Sequence, residues 1–245
     1  MLRQFFGNIP PISKNLLILN LLMFIFIVTG GETMSGFVRN QDLGLYYFGS
    51  PEFKPFQIVT HMFSHGGVFH LVFNMLALVM FGGVLERVWG PKRFLIFYLI
   101  TGLGAVVLHE GVNAIQVYNA SGELFPYYPQ GDSVSAQDFR SWMDNASKVK
   151  QVYMAYFIPT VGASGAIYGL LIAFAVLFPN TELMLMFFPI PVKAKYLVPF
   201  FIVLELFLGV KNFEFDNVAH FAHLGGALFG FILVKIWQKN KNTFY

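Results

Sequence analysis

The sequence predicts an all-α membrane protein with six transmembrane helices, and two observations carry this prediction. Of the 245 residues, 56% are hydrophobic and only 12% are charged, whereas an ordinary soluble domain carries about 25% charged residues. The apolar residues also gather in segments that approach the roughly 20 residues needed to cross a bilayer, with Lys and Arg in short runs between them. We expect residues 1–245 to form a single membrane domain.

Composition excludes several other classes of protein. The chain contains no cysteine, which excludes a disulfide-stapled secreted fold and a Cys-ligated zinc or iron–sulfur site. Its net charge of +3 is too diffuse to indicate a nucleic-acid surface. With a mean hydropathy of +0.60, the expected partner of most of the surface is the lipid bilayer.

The expected spans follow one another with connections of very different length. They cover about residues 15–28, 68–85, 94–108, 164–178, 196–210 and 219–237. The first lacks a small-residue cleavage site, which predicts a retained anchor and not a signal peptide. Six spans place both termini on one side of the membrane. Connections on that side hold ten Lys and Arg residues against six on the other, so we expect both termini in the cytoplasm.

Two of the outside connections are long, at about residues 31–60 and 109–156. The second half of the longer one has helical spacing, with Ser135 as a plausible N-cap and Asp138 three residues on. The apolar face of this helix would be formed by Phe139, Trp142, Met143, Ala146, Val149 and Tyr153. Such a helix either lies on the membrane surface or packs as an ordinary loop helix.

Three clusters of polar residues lie within or beside the expected spans, where contact with lipid raises the free energy of a polar side chain. Each cluster is therefore a candidate functional site. The first contains His61, His65, His70 and Asn74, the second contains Ser164 and Tyr168, and the third contains His220 and His223.

The second cluster starts the fourth span. Pro159 and Gly162 disfavour a helix before Ser164, and the fifteen residues from Ser164 to Pro179 reach only roughly 22 Å at 1.5 Å per residue. That length is too short to cross a bilayer, so the helix is expected to begin inside the membrane. Its free backbone N–H groups would favour a developing negative charge at Ser164.

Glycine spacing predicts what this helix packs against. Gly165 and Gly169 are four residues apart on the fourth span, and Gly226 and Gly230 are four apart on the sixth. Small residues at this spacing let helix backbones approach closely. Because His223 shares a face with Gly226, the packing would bring His223 within the roughly 2.6–3.2 Å of Ser164 that a nucleophile–base pair needs.

The first cluster supplies hydrogen-bond donors. His70 and Asn74 are four residues apart and so lie on one face of the second span. Donors aimed at a forming oxyanion are worth about 3–4 kcal/mol each when removed. A serine, a histidine and a donor pair at one depth predict an acyl-transfer site.

Together and in this order, these motifs resemble those of rhomboid intramembrane serine proteases, over essentially the whole six-helix core. The residues that carry the resemblance are His65, His70 and Asn74 in HGGVFHLVFN, Glu86 with Trp89 and Gly90, Ser164 in GASG, Tyr168, and His223 in AHLGGALFG. In one place the sequence departs from the family, because Phe56-Gln57 stands where a Trp-Arg pair is common. This departure leaves the anchoring of the first outside loop open.

The resemblance implies an endopeptidase with a Ser164–His223 dyad, no third acid, and Tyr168 stacked on His223. It also implies an oxyanion hole and two structural hydrogen-bonding residues. The hole would be formed by the His70 and Asn74 side chains with the Ser164 N–H, and the structural residues are His65 and Glu86. Members of the family cut membrane-embedded helices of other proteins near their outer end, often after small residues. We expect no cofactor and no metal.

Several residues have alternative interpretations. His220 could replace His223 as the base but lies nearly one turn nearer the outside. Glu205 in the fifth span is expected to be a buried packing carboxyl, with a third triad member or a proton-relay acid as alternatives. His61 is expected to form structural hydrogen bonds. The pair His109-Glu110 is not followed by the second histidine of a zincin motif.

Two other functions compete with the peptidase. A non-proteolytic relative that binds membrane segments would keep the fold but usually loses the serine or the histidine, and both are present here. A metal carrier would use His61, His65, His70 and His223, since imidazole suits zinc or copper, but these side chains share faces only in part. The composition fits a bacterial cytoplasmic membrane.

Overall fold

The computed structural model of the protein describes residues 8–29, 41–126, 146–185, 188–211 and 218–239. In chain order, its elements are α1 (Pro11–Thr29), α2 (Gln57–Thr60), α3 (Val68–Trp89), α4 (Pro91–Ser121), α5 (Ala146–Phe157), α6 (Ser164–Leu177), β1 (Glu182–Leu185), β2 (Phe188–Lys193), α7 (Ala194–Lys211) and α8 (His220–Lys239). A π-helical turn at Leu78–Gly82 interrupts α3.

Each of the six expected spans is helical, as α1, α3, α4, α6, α7 and α8, and the prediction of a helical membrane protein is confirmed. In the described part of the chain, α1, α3, α4 and α8 are long and apolar enough to cross a bilayer. Helix α6 has 14 residues and reaches only roughly 21 Å, so it is the short helix that the sequence predicts. Helix α7 has 18 residues and carries three charged side chains, Lys195, Glu205 and Lys211.

The N-terminus of α1 is capped from another helix. Ile12 N and Ser13 N donate to the two carboxylate oxygens of Glu86 at 2.8 and 2.7 Å, and the Ser13 hydroxyl donates to the second of these oxygens at 2.8 Å. The first N–H groups of a helix have no partner within the helix, and a negative charge is favourable beside them. Glu86, which is only 2% exposed, therefore ties α1 to the end of α3.

The third span was expected at about residues 94–108, and the helix that contains it, α4, continues beyond that range to Ser121. The polar residues that suggested a loop have partners that allow them to remain helical. Glu110, for example, accepts a hydrogen bond from Phe48 N at 3.1 Å. The helix ends at Gly122, whose φ of +80° is the left-handed conformation that terminates many helices.

Helix α5 packs on this extension of α4. Val152 and Tyr156 are buried against Tyr47 and Val117, whereas Tyr153, which was expected on the apolar face, is 47% exposed. The helix therefore packs on α4 through a face that does not include Tyr153. The expected cap and the first part of the expected face, Ser135, Asp138, Phe139, Trp142 and Met143, lie outside the described residues.

The connection between α6 and α7 contains a β-hairpin that the sequence did not predict. Strands β1 and β2 are antiparallel, with Glu182 opposite Lys193 and Leu183 opposite Val192. The PIP sequence within β2 explains why this stretch is not helical, since each proline fixes φ and lacks an N–H.

The segment before α3 is anchored by Gln57, at the position where the family that the sequence resembles often has an arginine. The Gln57 side chain is fully buried. Its Oε1 accepts from Lys54 N at 3.0 Å, and its Nε2 donates to the carbonyl oxygens of Glu52 at 3.0 Å and Asp42 at 3.3 Å. A neutral amide therefore provides the anchoring that the sequence left open.

Candidate active site

The segment before α6 places the start of that helix. Thr160 forms an isolated antiparallel bridge with Leu45, and Gly162 N donates to the carbonyl oxygen of His61 at 2.8 Å. Gly162 has a φ of +125°, and a Cβ there would lie 2.7 Å from His70 Nε2. Only glycine fits this position without strain, and it brings His70 to the N-terminus of α6.

Glycine contacts set the distance between α6 and α8. A Cβ on Gly226 would lie 1.8 Å from the Gly165 carbonyl oxygen, and one on Gly230 would lie 2.8 Å from Gly169 Cα. The backbones therefore touch at both levels of the glycine pairs, as the spacing predicts. Gly165 also faces α4, where a Cβ would lie 2.5 Å from that of Ala105.

This packing joins Ser164 to His223. Their Oγ and Nε2 atoms are 2.7 Å apart, within the range for a nucleophile and its base. The Tyr168 ring stacks on the His223 ring with centroids 4.4 Å apart and planes inclined by 8°. His223 is 9% exposed, so the pair lies in the interior of the helix bundle. The catalytic roles of the two residues stay predictions.

The two expected oxyanion donors differ in where their side chains lie. His70 lines a cavity of about 1010 Å³ together with Gly162, Ser164 and His223. Asn74 is not among the described residues that line this cavity. Its Nδ2 donates to the His70 carbonyl oxygen at 3.0 Å. An amide nitrogen has two hydrogens, so this bond leaves one of them for another acceptor.

The remaining histidines of the first cluster have structural contacts. His65 is fully buried, and its ring lies edge-on to the His70 ring, with centroids 5.1 Å apart. His61 Nδ1 contacts the Gln57 carbonyl oxygen at 2.9 Å. Burial lowers the pKa of His61 from 6.5 to about 4, so this ring is neutral at neutral pH. A neutral ring can donate from Nδ1 to the carbonyl, which fits the expected structural role.

Glu205 occupies a position that the sequence analysis did not favour. Its Oε2 lies 2.6 Å from His220 Nδ1 and 3.0 Å from His223 Nδ1, and its Oε1 accepts a hydrogen bond from the Tyr168 hydroxyl. The carboxylate is therefore buried and hydrogen-bonded, as expected of a packing carboxyl, and it is also in contact with the proposed base. The sequence signal that could have found it is an acidic residue inside a span, which is a functional candidate by default.

Within the described residues, Glu205, His220 and His223 also form a group that could hold a metal ion, since their ligand atoms lie within 4.8 Å of one another. Zinc bonds of about 2.0–2.1 Å in a tetrahedral site place ligand atoms about 3.3 Å apart. The 2.6 Å contact between Glu205 and His220 is shorter and is a hydrogen-bond distance. In this geometry the group is a hydrogen-bonded carboxylate–histidine cluster.

The comparisons with known proteins agree with this architecture. The family model described as "Rhomboid domain" matches residues 52–240. The chain belongs to the rhomboid family. The matched region contains all the residues that carry the resemblance, from His65 to His223.

Three curated relatives illustrate the similarity. An uncharacterized mitochondrial rhomboid protein of Schizosaccharomyces pombe is 29% identical over 74% of this chain and 51% of its own length. The mitochondrial Rhomboid protein 1 of Saccharomyces cerevisiae is 28% identical over 71% and 39%. The Rhomboid protease AarA of Providencia stuartii is 30% identical over 70% and 52%. The chain thus spans about half or less of the length of these relatives.

Proposed function

We propose that the protein is an intramembrane serine endopeptidase that cleaves transmembrane segments of other membrane proteins. The observation that carries the proposal is the 2.7 Å contact between Ser164 Oγ and His223 Nε2, formed at the buried start of a short helix. Membership of a family that includes proteases supports the same conclusion. The presence of both residues in contact argues against a non-proteolytic binder.

The first half of the reaction forms an acyl-enzyme. Ser164 Oγ attacks the scissile carbonyl carbon while its proton passes to His223 Nε2. The carbonyl oxygen becomes an oxyanion, which the Ser164 N–H and the side chains of His70 and Asn74 stabilise. The imidazolium of His223 then protonates the departing amine as the peptide C–N bond breaks.

The second half of the reaction requires water at the same depth. The cavity of about 1010 Å³ around Ser164 has room for water molecules beside the acyl group. A water molecule gives one proton to His223 Nε2 and attacks the ester carbonyl. The Ser164 oxygen then leaves with that proton, which regenerates the hydroxyl and releases the carboxylic acid.

The site's place in the fold limits its substrates. A regular helix hides each carbonyl carbon behind side chains and engages each carbonyl oxygen in a hydrogen bond, so the scissile segment must locally unwind. Ser164 begins a helix too short to cross the bilayer, and its cavity is lined from the outer loop by Thr160 and Val161. We therefore expect cleavage near the outer end of a substrate span that contains small or helix-breaking residues.

The test is cleavage of a labelled transmembrane substrate by purified protein in detergent and in liposomes. We expect Ser164→Ala and His223→Ala each to lower kcat by more than about 10⁴-fold, because the nucleophile and its base act as one unit. Ser121→Ala, which changes a hydroxyl at the far end of α4, is the matched control and should keep full activity. Equal cleavage by the active-site variants would refute the proposal.

Labelling separates the enzyme from a binder. A serine-directed fluorophosphonate should label the wild-type protein and fail to label Ser164→Ala. If the protein binds transmembrane segments in liposomes but is neither labelled nor active, the non-proteolytic function is the correct one.

The membrane and orientation are part of the proposal. The excess of Lys and Arg in one set of connections, ten against six, supports both termini in the cytoplasm. The comparisons do not support the bacterial cytoplasmic membrane over another membrane, since mitochondrial relatives stand beside bacterial ones. Reporter fusions at each terminus, read for which side of the membrane they occupy, test the orientation.

A further inference from the structure

The carboxylate of Glu205 is in contact with the side of the His223 ring opposite Ser164. We infer that Glu205 is a positioning residue for His223, so that Ser164, His223 and Glu205 form a triad in place of a dyad. The consequence for reaction rate rests on the proposed peptidase function. The effect on the protonation of the imidazole does not, and it can be measured by itself.

The contacts come from α6 and α8, two helices that pack on each other and also contact α7. From α8, His220 Nδ1 and His223 Nδ1 approach the same oxygen, Oε2, at 2.6 and 3.0 Å. From α6, the Tyr168 hydroxyl donates to Oε1. The contact with His220 is well aligned as a hydrogen bond, while that with His223 is close but oblique. Before a substrate binds, Glu205 and His223 are therefore linked by a short distance between Oε2 and Nδ1 and not by a well-aligned hydrogen bond.

The pattern of donors identifies the protonation state of the group. A carboxylate only accepts hydrogen bonds, and all three of its neighbours can donate: Tyr168 through its hydroxyl, and His220 and His223 through Nδ1–H. With the proton of His223 on Nδ1, its Nε2 lone pair faces the Ser164 hydroxyl at 2.7 Å. The opposite tautomer would place a lone pair against the carboxylate and leave no base at Ser164.

The charge of Glu205 acts once the reaction begins. When His223 takes the serine proton, the imidazolium lies 3.0 Å from Glu205 Oε2. Glu205 is only 8% exposed, and opposite charges at contact distance attract far more strongly there than in water. The carboxylate keeps its charge, accepts no proton and stabilises the imidazolium, as the acid of a soluble serine protease triad does.

Burial and neighbours argue against a purely structural carboxyl. The three side chains at hydrogen-bond or ion-pair distance from Glu205 are all ionisable, and two of them, Tyr168 and His223, also touch each other in a ring stack. A packing carboxyl needs only neutral donors, such as the backbone N–H groups that surround Glu86. The surroundings of Glu205 therefore couple it to the protonation of His223.

The first test reads the tautomer of His223 directly. The protein of residues 1–245, with its six histidines labelled with ¹⁵N in the ring, is studied by NMR in detergent, and the His223 signals are assigned with His223→Gln. We expect wild-type His223 to carry its proton on Nδ1 at a pH where the ring is neutral. In Glu205→Gln, a substantial fraction should carry the proton on Nε2.

The second test measures cleavage against pH. We expect Glu205→Gln to lower kcat by up to about 10⁴-fold, the loss that follows when the acid of a soluble triad is replaced by its amide, with KM nearly unchanged. The midpoint of the rising limb of the pH–rate profile should move to lower pH, because the His223 imidazolium loses the negative charge of Glu205 beside it. Among the residues that the structure describes, the other titratable groups near this pair are Tyr168 on α6, His220 on α8, His70 on α3 and His109 on α4. All four stay unchanged in the comparison.

Glu110→Gln is the matched control. It removes a carboxylate of similar burial, 4% exposed, that contacts Phe48 N and Asn113 and not His223. It should leave the His223 tautomer, kcat and the pH midpoint unchanged. Glu205→Asp provides a second variant that keeps the charge but withdraws it by one methylene, and it should recover part of the lost kcat.

The outcomes are distinct. A wild-type His223 with its proton on Nε2, or a Glu205→Gln protein with unaltered tautomer and pH profile, overturns the inference even if the protease is active. If wild-type protein is inert but its tautomer depends on Glu205, the positioning contact is supported and the proposed peptidase function is wrong. If Glu205→Gln does not fold, the wild-type tautomer and the activity of Glu205→Asp relative to wild type decide the question.

Discussion

The two most informative buried carboxylates of this membrane protein, Glu86 and Glu205, lie in contrasting surroundings. Glu86 is 2% exposed and accepts from two backbone N–H groups and one hydroxyl at the start of α1. Glu205 is 8% exposed and is surrounded by two imidazoles and a phenol. The two groups are alike in chemistry and burial, but the partners of Glu86 cannot change protonation at ordinary pH, whereas those of Glu205 include histidines, which can.

The protonation behaviour of its neighbours distinguishes a structural from a functional buried carboxylate inside a membrane. A buried carboxylate needs donors wherever it lies, because an unpaired charge in low dielectric is very costly. Fixed neutral donors give a contact whose strength is the same at every step of a reaction. Ionisable donors give a contact that strengthens when one of them gains a proton, which is what transition-state stabilisation requires.

The largest effect is expected at the structural carboxylate. Glu86→Ala leaves Ile12 N, Ser13 N and the Ser13 hydroxyl without their acceptor. Because hydrogen bonds to charged groups are worth about 1.5–3 kcal/mol each and are not fully additive, we expect a loss of about 3 kcal/mol or more in the free energy of unfolding. Activity per folded molecule should be unchanged. Unfolding in mixed micelles, followed by tryptophan fluorescence, measures the first quantity, and active-site titration measures the second.

The exposed Glu123 provides the control for this prediction. Glu123→Ala should alter neither stability nor activity. A Glu86→Ala protein of normal stability, or one that is stable but inactive, would contradict the division between the two carboxylates.

The next effect is at the functional carboxylate. Tyr168→Phe keeps the ring that stacks on His223 but removes the hydroxyl that donates to Glu205 Oε1. Loss of one hydrogen bond to a charged group, worth about 1.5–3 kcal/mol, should lower kcat by about 10- to 100-fold while the ring stack keeps substrate affinity nearly constant. Tyr153→Phe, which removes a hydroxyl from a 47% exposed side chain, is the control. Equal kcat in the two variants would show that the acid is not held through Tyr168.

Local sequence patterns predict much of this architecture. The start of α6 follows from Pro159 and Gly162, because a break before the helix is a property of neighbouring residues. The contact between α6 and α8 follows from glycine pairs spaced by four, Gly165 with Gly169 and Gly226 with Gly230, because that spacing alone produces a smooth helix face. Hydropathy identifies each of the spans because it, too, depends only on residues that are neighbours in the sequence.

The features that escaped prediction depend on contacts between distant segments. The extension of α4 is stable because Glu110 finds Phe48 N, a residue from another loop. Glu205 meets His223 because of the rotation of α7 about its axis, and the sequence of α7 is apolar on nearly every side, so no periodic pattern fixes that rotation. The cap of α1 by Glu86 was anticipated only as a structural role, since its partner lies 73 residues away in sequence.

A smaller effect distinguishes one donor of Glu86 from the whole set. Ser13→Ala removes the hydroxyl donor but leaves both backbone N–H groups on the carboxylate. We expect a loss of about 1.5 kcal/mol in the free energy of unfolding, the low end of the range for one hydrogen bond to a charged group, with no change in kcat or in the pH profile. Ser121→Ala, at the exposed end of α4, is the control. A changed pH profile in Ser13→Ala would mean that the two carboxylates are coupled through the bundle.

The smallest effect is expected at His220, and its sign is opposite to that of losing Glu205. His220→Phe removes the well-aligned hydrogen bond to Glu205 Oε2 and frees that oxygen to interact more strongly with His223. The midpoint of the rising limb of the pH–rate profile should therefore move to higher pH, and kcat should stay within about fivefold. In a Glu205→Gln background the same substitution should produce no shift, because the shift is transmitted only through the carboxylate. A shift of equal size in both backgrounds would mean that His220 acts on His223 directly, through the edge-on contact of their rings, and that His220 and not Glu205 is the group that adjusts the base.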